Sequence, residues 1–199
     1  MRILGVNAVF HDPAAALVID GEIVAAAEEE RFSRRKHGKQ AVPFSTWELP
    51  VQSAAWCLAQ AGLRPQDLDA VGYSYDPRVM EGHSDDLPGL DAHWEVLRTL
   101  YATRAPAFLA TALPGLDPAV VHHVRHHFAH AASTGLASPH RDPAVLVVDG
   151  RGERTSMLAG RYRDGKLDVL ATQDLPHSLG LLYEELTEHL GFTRSSDEY

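Results

Sequence analysis

The sequence predicts an α/β fold, and three observations carry that expectation. Short apolar segments with strand character alternate with segments of helical spacing, most plainly over Val51–Tyr75. Asp-Gly pairs at Asp20-Gly21 and Asp164-Gly165 each separate two strand-like runs and read as tight hairpin turns. The order buried strand, polar loop, strand, Asp-Gly turn, strand occurs twice, once from Ile3 and once from Ala144. Two such units read either as an internal echo or as a common solution to one problem, aiming loops at a bound phosphate chain.

Taken in order, Ile3–Asn7 reads as a buried strand. The polar loop Phe10-His11-Asp12-Pro13 leads to a second strand, Ala14–Ile19, and the Asp20-Gly21 turn leads to a third, Glu22–Ala27. Val51–Ala61 has helical apolar spacing and stops at Gly62, a natural residue just past a helix end; Asp69–Tyr75 returns to strand. Pro77–Leu90, rich in Pro, Gly and Asp, reads as a surface loop, and a helix is expected from about His93 to Leu109. Val120–Val124 is a β-branched strand-like run, and the segment after it is expected to be helical. Ala144–Val148, Thr155–Tyr162 and Leu167–Thr172 read as strands, and Leu179–Leu190 as a helix ending at Gly191. The last segment, Phe192–Tyr199, is polar.

The 199 residues suffice for one large or two small domains, and a 45% hydrophobic content can fill a core. The net charge of −9 argues against nucleic acid as the main partner, because a phosphate backbone needs a positive field. Cys57 is the single cysteine, so no intrachain disulfide can form, and it falls in an apolar helix where an inert thiol is expected. The first residues do not resemble a signal peptide, and no apolar run approaches membrane-spanning length, so a cytoplasmic protein without membrane contact is expected.

Five of the twelve histidines fall between His122 and His130. His126 and His130 are four apart and leave one face of a helix about one turn from each other, so two neutral imidazoles can grip one metal ion. His127 stands four after His123, but His123 lies in the strand-like run and that pair shares no helical face. A lone His-x-x-x-His does not separate a metal site from coincidence. Asp149 adds weight, because it ends an apolar strand where ligands of α/β sheets gather. Two imidazoles and a carboxylate suit a divalent metal such as iron or zinc with positions left open. Gly150 and Gly152 allow backbone N–H groups to approach phosphate, although an ordinary turn explains a two-glycine loop equally well. Arg31, Arg34, Arg35, Lys36 and His37 form a basic cluster that could receive a phosphate-bearing small molecule; a solvated charge run is the plainer explanation. There is no Gly-x-Ser-x-Gly, no Walker A loop and no Gly-x-Gly-x-x-Gly.

Five segments, in this order, resemble the O-carbamoyltransferases of antibiotic and nodulation-factor pathways: Phe10-His11-Asp12-Pro13-Ala14-Ala15-Ala16, Glu28–His37, His126-His127-Phe128-Ala129-His130-Ala131, Asp149-Gly150-Arg151-Gly152-Glu153 and Gly191-Phe192-Thr193. The resemblance runs from Met1 to Tyr199. It implies an actin-like ATPase-type fold with a mixed sheet and flanking helices, of which residues 1–199 are the N-terminal part. It also implies that the rest of that domain and a YrdC-like domain lie outside this chain. In such enzymes the YrdC-like domain joins carbamoyl phosphate and ATP into carbamoyl adenylate, and the actin-like domain passes the carbamoyl group to a hydroxyl of a small-molecule acceptor. The same matching implies His126, His130 and Asp149 as metal ligands, with Fe2+ as the metal and a further aspartate beyond this chain. It implies His11 as a catalytic residue in contact with the phosphate-bearing intermediate and Lys36 as a second contact; a homodimer is one possible assembly, which the sequence does not decide. Two other readings stand beside it: a nucleotide-binding module without turnover, and threonylcarbamoyl transfer to transfer RNA. The acidic charge and the segments at His11 and Glu28 weigh against the latter.

Overall fold

The structure is a computed structural model that describes residues 1–8, 11–38, 49–82 and 91–193. Phe10 of the first expected loop, the end of the loop expected over Pro77–Leu90, and the last six residues lie outside the described residues. The chain divides into two compact units, Met1–Pro77 with Val96–Val124, and Arg78–Glu95 with Arg125–Tyr199.

In the first unit, β1 (Arg2–Asn7), β2 (Ala14–Ile19), β3 (Glu22–Glu28), β4 (Ala70–Tyr73) and β5 (Val121–His123) form a mixed sheet of order β3-β2-β1-β4-β5. β1 runs antiparallel to β2, with Gly5 opposite Ala16, and parallel to β4, with Leu4 opposite Val71; β4 and β5 are also parallel. The two-residue side-chain period explains the burial. Leu4 and Val6, Ala15 and Leu17, and Val71 and Tyr73 point inward. Leu4, Leu17 and Val71 are fully buried, each worth about 1.5–3 kcal/mol of transfer free energy. At the β2–β3 turn Asp20 and Gly21 both have positive φ (51° and 91°), the backbone that a two-residue hairpin of primed type requires. The short α1 (Glu30–Ser33) follows β3. α2 (Val51–Gln60) buries Ala54, Cys57 and Leu58 and packs on β2 and β3. It ends one residue before the expected Ala61, with Gly62 left-handed beyond it. Burial of Cys57 fits the expectation of an inert thiol.

α3 (Ala92–Ala112) is longer at both ends than the expected His93–Leu109 and carries Pro106 inside it. Most of it belongs to the first unit, where Tyr101, Ala105 and Leu109 recur every four residues and are buried.

In the second unit, α4 (His126–Gly135) precedes an antiparallel sheet of β6 (Ala144–Val148), β7 (Thr155–Arg163) and β8 (Lys166–Asp174), and α5 (Leu179–His189) follows it. The Asp164-Gly165 turn again has positive φ at both residues. Ala131 of α4 packs with Val145, Val147, Leu158 and Tyr162 of the sheet. Gly135 permits that packing, because a β-carbon there would lie 2.3 Å from the Tyr162 ring. On the other faces, Leu146 and Val148 of β6 and Leu182 and Leu186 of α5 are exposed. No helix of the described residues is long and apolar enough to cross a membrane.

The echo expected from the sequence is present. Each unit contains an antiparallel three-strand meander, β1-β2-β3 in one and β6-β7-β8 in the other, and the loop joining its first two strands carries the candidate residues: His11 and Asp12 in one, Asp149 at the head of the other.

Candidate metal centre

α4 begins where the backbone of Arg125 leaves extended geometry, and its first residue is His126. The His126 N–H donates to Glu153 Oε1 at 2.9 Å, so a buried carboxylate occupies the helix N-terminus and offsets its partial positive charge. Helical spacing then brings His130 beside His126, with the two Nε2 atoms 3.1 Å apart. Asp149 follows directly on β6. Its N–H donates to the Ser156 carbonyl at 3.0 Å, and the Gly150 N–H donates to Asp149 Oδ1 at 2.6 Å. Ser178, which caps α5 by accepting the Leu181 N–H, places its hydroxyl 2.6 Å from the Gly150 carbonyl and 3.1 Å from that of Asp149. The loop is therefore held from both sides.

Asp149 Oδ2 lies 2.9 Å from His126 Nε2 and 3.8 Å from His130 Nε2. The donor atoms of His126, His130 and Asp149 thus converge on one point. Metal–ligand bonds of the usual 2.0–2.2 Å would space neighbouring donors roughly 3–3.5 Å apart, which the observed 2.9, 3.1 and 3.8 Å bracket. Two imidazoles and one carboxylate therefore fit a divalent metal in both spacing and donor chemistry. Burial alone would push the Asp149 carboxyl up. Hydrogen bonds to His126 and His127, the charge of His126 and the Gly150 N–H outweigh it and hold the group far below the ordinary carboxylate range. Asp149 is a ready anionic ligand.

His123, on β5, has its Nε2 engaged 2.8 Å from the Ala102 carbonyl, and His122 is exposed. His127 is the residue that sequence reasoning missed. It is 2% exposed, with Nδ1 2.7 Å from Thr155 Oγ1 and Nε2 3.3 Å from Asp149 Oδ2. Glu153 was missed as well, although its place after Gly150-Arg151-Gly152 put it within reach of the same loop. Gly150 and Gly152 have uses other than the expected approach to phosphate. The Gly152 N–H donates to the Thr155 carbonyl at 2.8 Å, and a β-carbon at Gly152 would lie 3.2 Å from the His127 ring. Both glycine N–H groups are engaged inside the loop.

In the first unit, His11 lies on the exposed loop after β1 with Nδ1 2.8 Å from Asp12 Oδ2, and His37 Nδ1 lies 3.0 Å from Asp12 Oδ1. The Asn7 side-chain amide donates to the carbonyls of His11 and Asp12, and Ser74 Oγ donates to Asn7 Oδ1. Glu30 Oε2 accepts the His37 N–H at 3.1 Å. Asp12, Glu30 and His37 therefore cluster through their mutual hydrogen bonds, which account for their proximity. Lys36 is exposed in the adjoining turn Lys36–Gly38, while Arg31 of the basic cluster pairs with Glu28 at 3.0 Å.

The sequence matches the family described as carbamoyltransferase N-terminus over residues 2–110 and 107–199. It is similar to the uncharacterised protein sll1178 of Synechocystis sp., 35% identical over 218 residues, covering 100% of this chain and 33% of that protein. It is also similar to the nodulation protein NolNO of Sinorhizobium fredii, 32% identical over 200 residues, covering 97% of this chain and 27% of that protein. The chain thus spans about a third of the length of the curated relatives it matches. Among solved structures, YeaZ from Pseudomonas aeruginosa aligns over 87% of this chain and 69% of its own with a TM-score of 0.43 and 13% identity, too distant a likeness to carry an argument.

Proposed function

We propose a function from one premise: the chain belongs to the carbamoyltransferase N-terminal family. On this reading it is the N-terminal part of an O-carbamoyltransferase. The enzyme takes carbamoyl from carbamoyl phosphate, by way of ATP and carbamoyl adenylate, to a hydroxyl of a small natural product such as an antibiotic. The acceptor oxygen forms a bond to the carbamoyl carbon, the carbon–oxygen bond to the phosphate breaks, AMP leaves, and the hydroxyl proton passes to a base.

The observation that supports this reading most is the convergence of His126, His130 and Asp149. These three residues would hold a divalent metal, Fe2+ by family resemblance, which would supply Lewis acidity to the leaving phosphate. The two histidines serve as neutral donors and Asp149 as the anionic one. His11, exposed on the loop after β1, is suited in chemistry to take the hydroxyl proton or meet a phosphoryl oxygen, and Lys36 to add positive charge. The Gly150–Gly152 loop serves, on this reading, by holding Asp149.

Elemental analysis after dialysis tests the metal, on the parent protein, His126→Ala, His130→Ala, Asp149→Asn and His122→Ala. The first three variants should lose most of the bound metal and His122→Ala should keep it. Unchanged content in both His126→Ala and His130→Ala overturns the site. Release of AMP from supplied carbamoyl adenylate, dependent on a hydroxyl acceptor, tests the transfer; binding of the adenylate without release favours the nucleotide-binding module.

A further inference from the structure

His127 follows His126 by one residue, which turns its side chain about 100° around α4, off the face that His126 and His130 share. Its ring runs toward β7 instead, where Thr155 Oγ1 lies 2.7 Å from Nδ1. Nε2 is buried without a hydrogen bond of full geometry, and Asp149 Oδ2 lies 3.3 Å from it. Gly152 packs so closely on the ring that a β-carbon there would stand 3.2 Å from it. A buried imidazole aimed at a carboxylate and held from behind calls for a physical account.

A neutral imidazole carries one N–H and one lone pair. The Thr155 hydroxyl accepts either arrangement, since it can donate to Nδ1 or accept from it. Asp149 does not: a lone pair on Nε2 would face a carboxylate oxygen in dry surroundings, where like partial charges repel strongly, whereas an N–H there is attracted.

We propose that His127 is a positioning residue for Asp149, its Nε2–H directed at Asp149 Oδ2, with the Thr155 hydroxyl donating to the lone pair that this tautomer leaves on Nδ1. The contact stands on its own geometry; its consequence for metal binding rests on the ligand reading given above. Gly150 N–H restrains one oxygen of the carboxylate and His127 the other, so Asp149 cannot rotate away from His126. The arrangement is the familiar one of an outer hydrogen bond orienting a ligand, with a histidine supplying it.

Two measurements test this. Long-range 1H–15N NMR of the metal-free protein should find the His127 proton on Nε2, and a proton on Nδ1 alone overturns the proposal. Zn2+ affinity, measured by competition with a chromophoric chelator, should fall roughly tenfold to a hundredfold in His127→Ala. His127→Gln, which keeps an N–H donor of similar reach, should recover part of that loss. Thr155→Val should lose affinity and Thr155→Ser keep it, which a mere packing role for His127 would not produce. The Co2+ absorption spectrum of His127→Gln should match the parent; a spectrum with one nitrogen ligand fewer makes His127 a ligand and overturns the positioning role, as does equal Zn2+ affinity in His127→Ala. If the parent takes up no Zn2+ while His127 carries its proton on Nε2, the metal reading fails and the His127–Asp149 contact stands.

Discussion

Asp12 and His37 hold one another twice: the Asp12 N–H donates to the His37 carbonyl at 2.9 Å, and the Asp12 carboxylate lies 3.0 Å from His37 Nδ1. Both residues have left-handed backbones, with φ of 48° and 58°. A non-glycine residue in that region costs on the order of 1 kcal/mol or more and persists only where its surroundings over-determine it. The reciprocal bonds supply that determination, and the loop bearing His11 is fixed by them.

Asp12→Ala should therefore lower the unfolding free energy by about 1–2 kcal/mol, through the lost carboxylate and a side chain less tolerant of positive φ. Asp12→Asn should cost less, because asparagine accepts both the backbone and a hydrogen bond. Urea midpoints decide the matter. An Asp12→Ala protein with the parent midpoint would mean that the clasp contributes nothing.

The acid limb of stability should carry a contribution from Asp69. The Arg2 side chain and then the Arg2 N–H, bonded at 2.9 and 2.7 Å, hold its carboxyl down at about 2. Because the folded value is depressed, the contribution is present above the ordinary carboxylate pKa of about 4 and is lost as pH falls toward about 2. The pair is exposed, so the effect is small and salt-sensitive. Melting temperatures of the parent and Asp69→Asn should differ slightly at pH 6 and converge by pH 2. A difference that grows on acidification would contradict the assignment.

Gly180 should prove intolerant of any side chain. A β-carbon there would stand 2.5 Å from the backbone of Gly150 and 2.7 Å from the carbonyl carbon of Asp149. Rigid backbone cannot give way as a flexible side chain can, so Gly180→Ala should destabilise by about 1–3 kcal/mol and lower metal content through the displaced Asp149 loop. Gly165→Ala, in a turn with open space around it, serves as the comparison. It should cost about 1 kcal/mol for its positive φ and leave metal content unchanged. Equal metal content in the two variants would separate Gly180 from the site.

The sequence by itself determined the elements and the local half of the site. Short apolar runs placed β1, β2, β6 and β7, the two Asp-Gly pairs placed their hairpins, and four-residue spacing paired His126 with His130, because each of these is a property of neighbours along the chain. Residue types and their order also identified the family. Only the tertiary structure decided what meets across the fold. Asp149 reaches His126 because β6 and α4 share a core, and His127 belongs with Thr155 because β7 passes behind the helix. Glu153 caps α4 across a gap of 27 residues. Gly152, legible as a glycine for a phosphate, is a glycine that admits the His127 ring, and the backbone at Gly150 is approached closely by Gly180, which carries no side chain. Those contacts are set by how elements distant in sequence pack, and one-dimensional spacing carries no record of them.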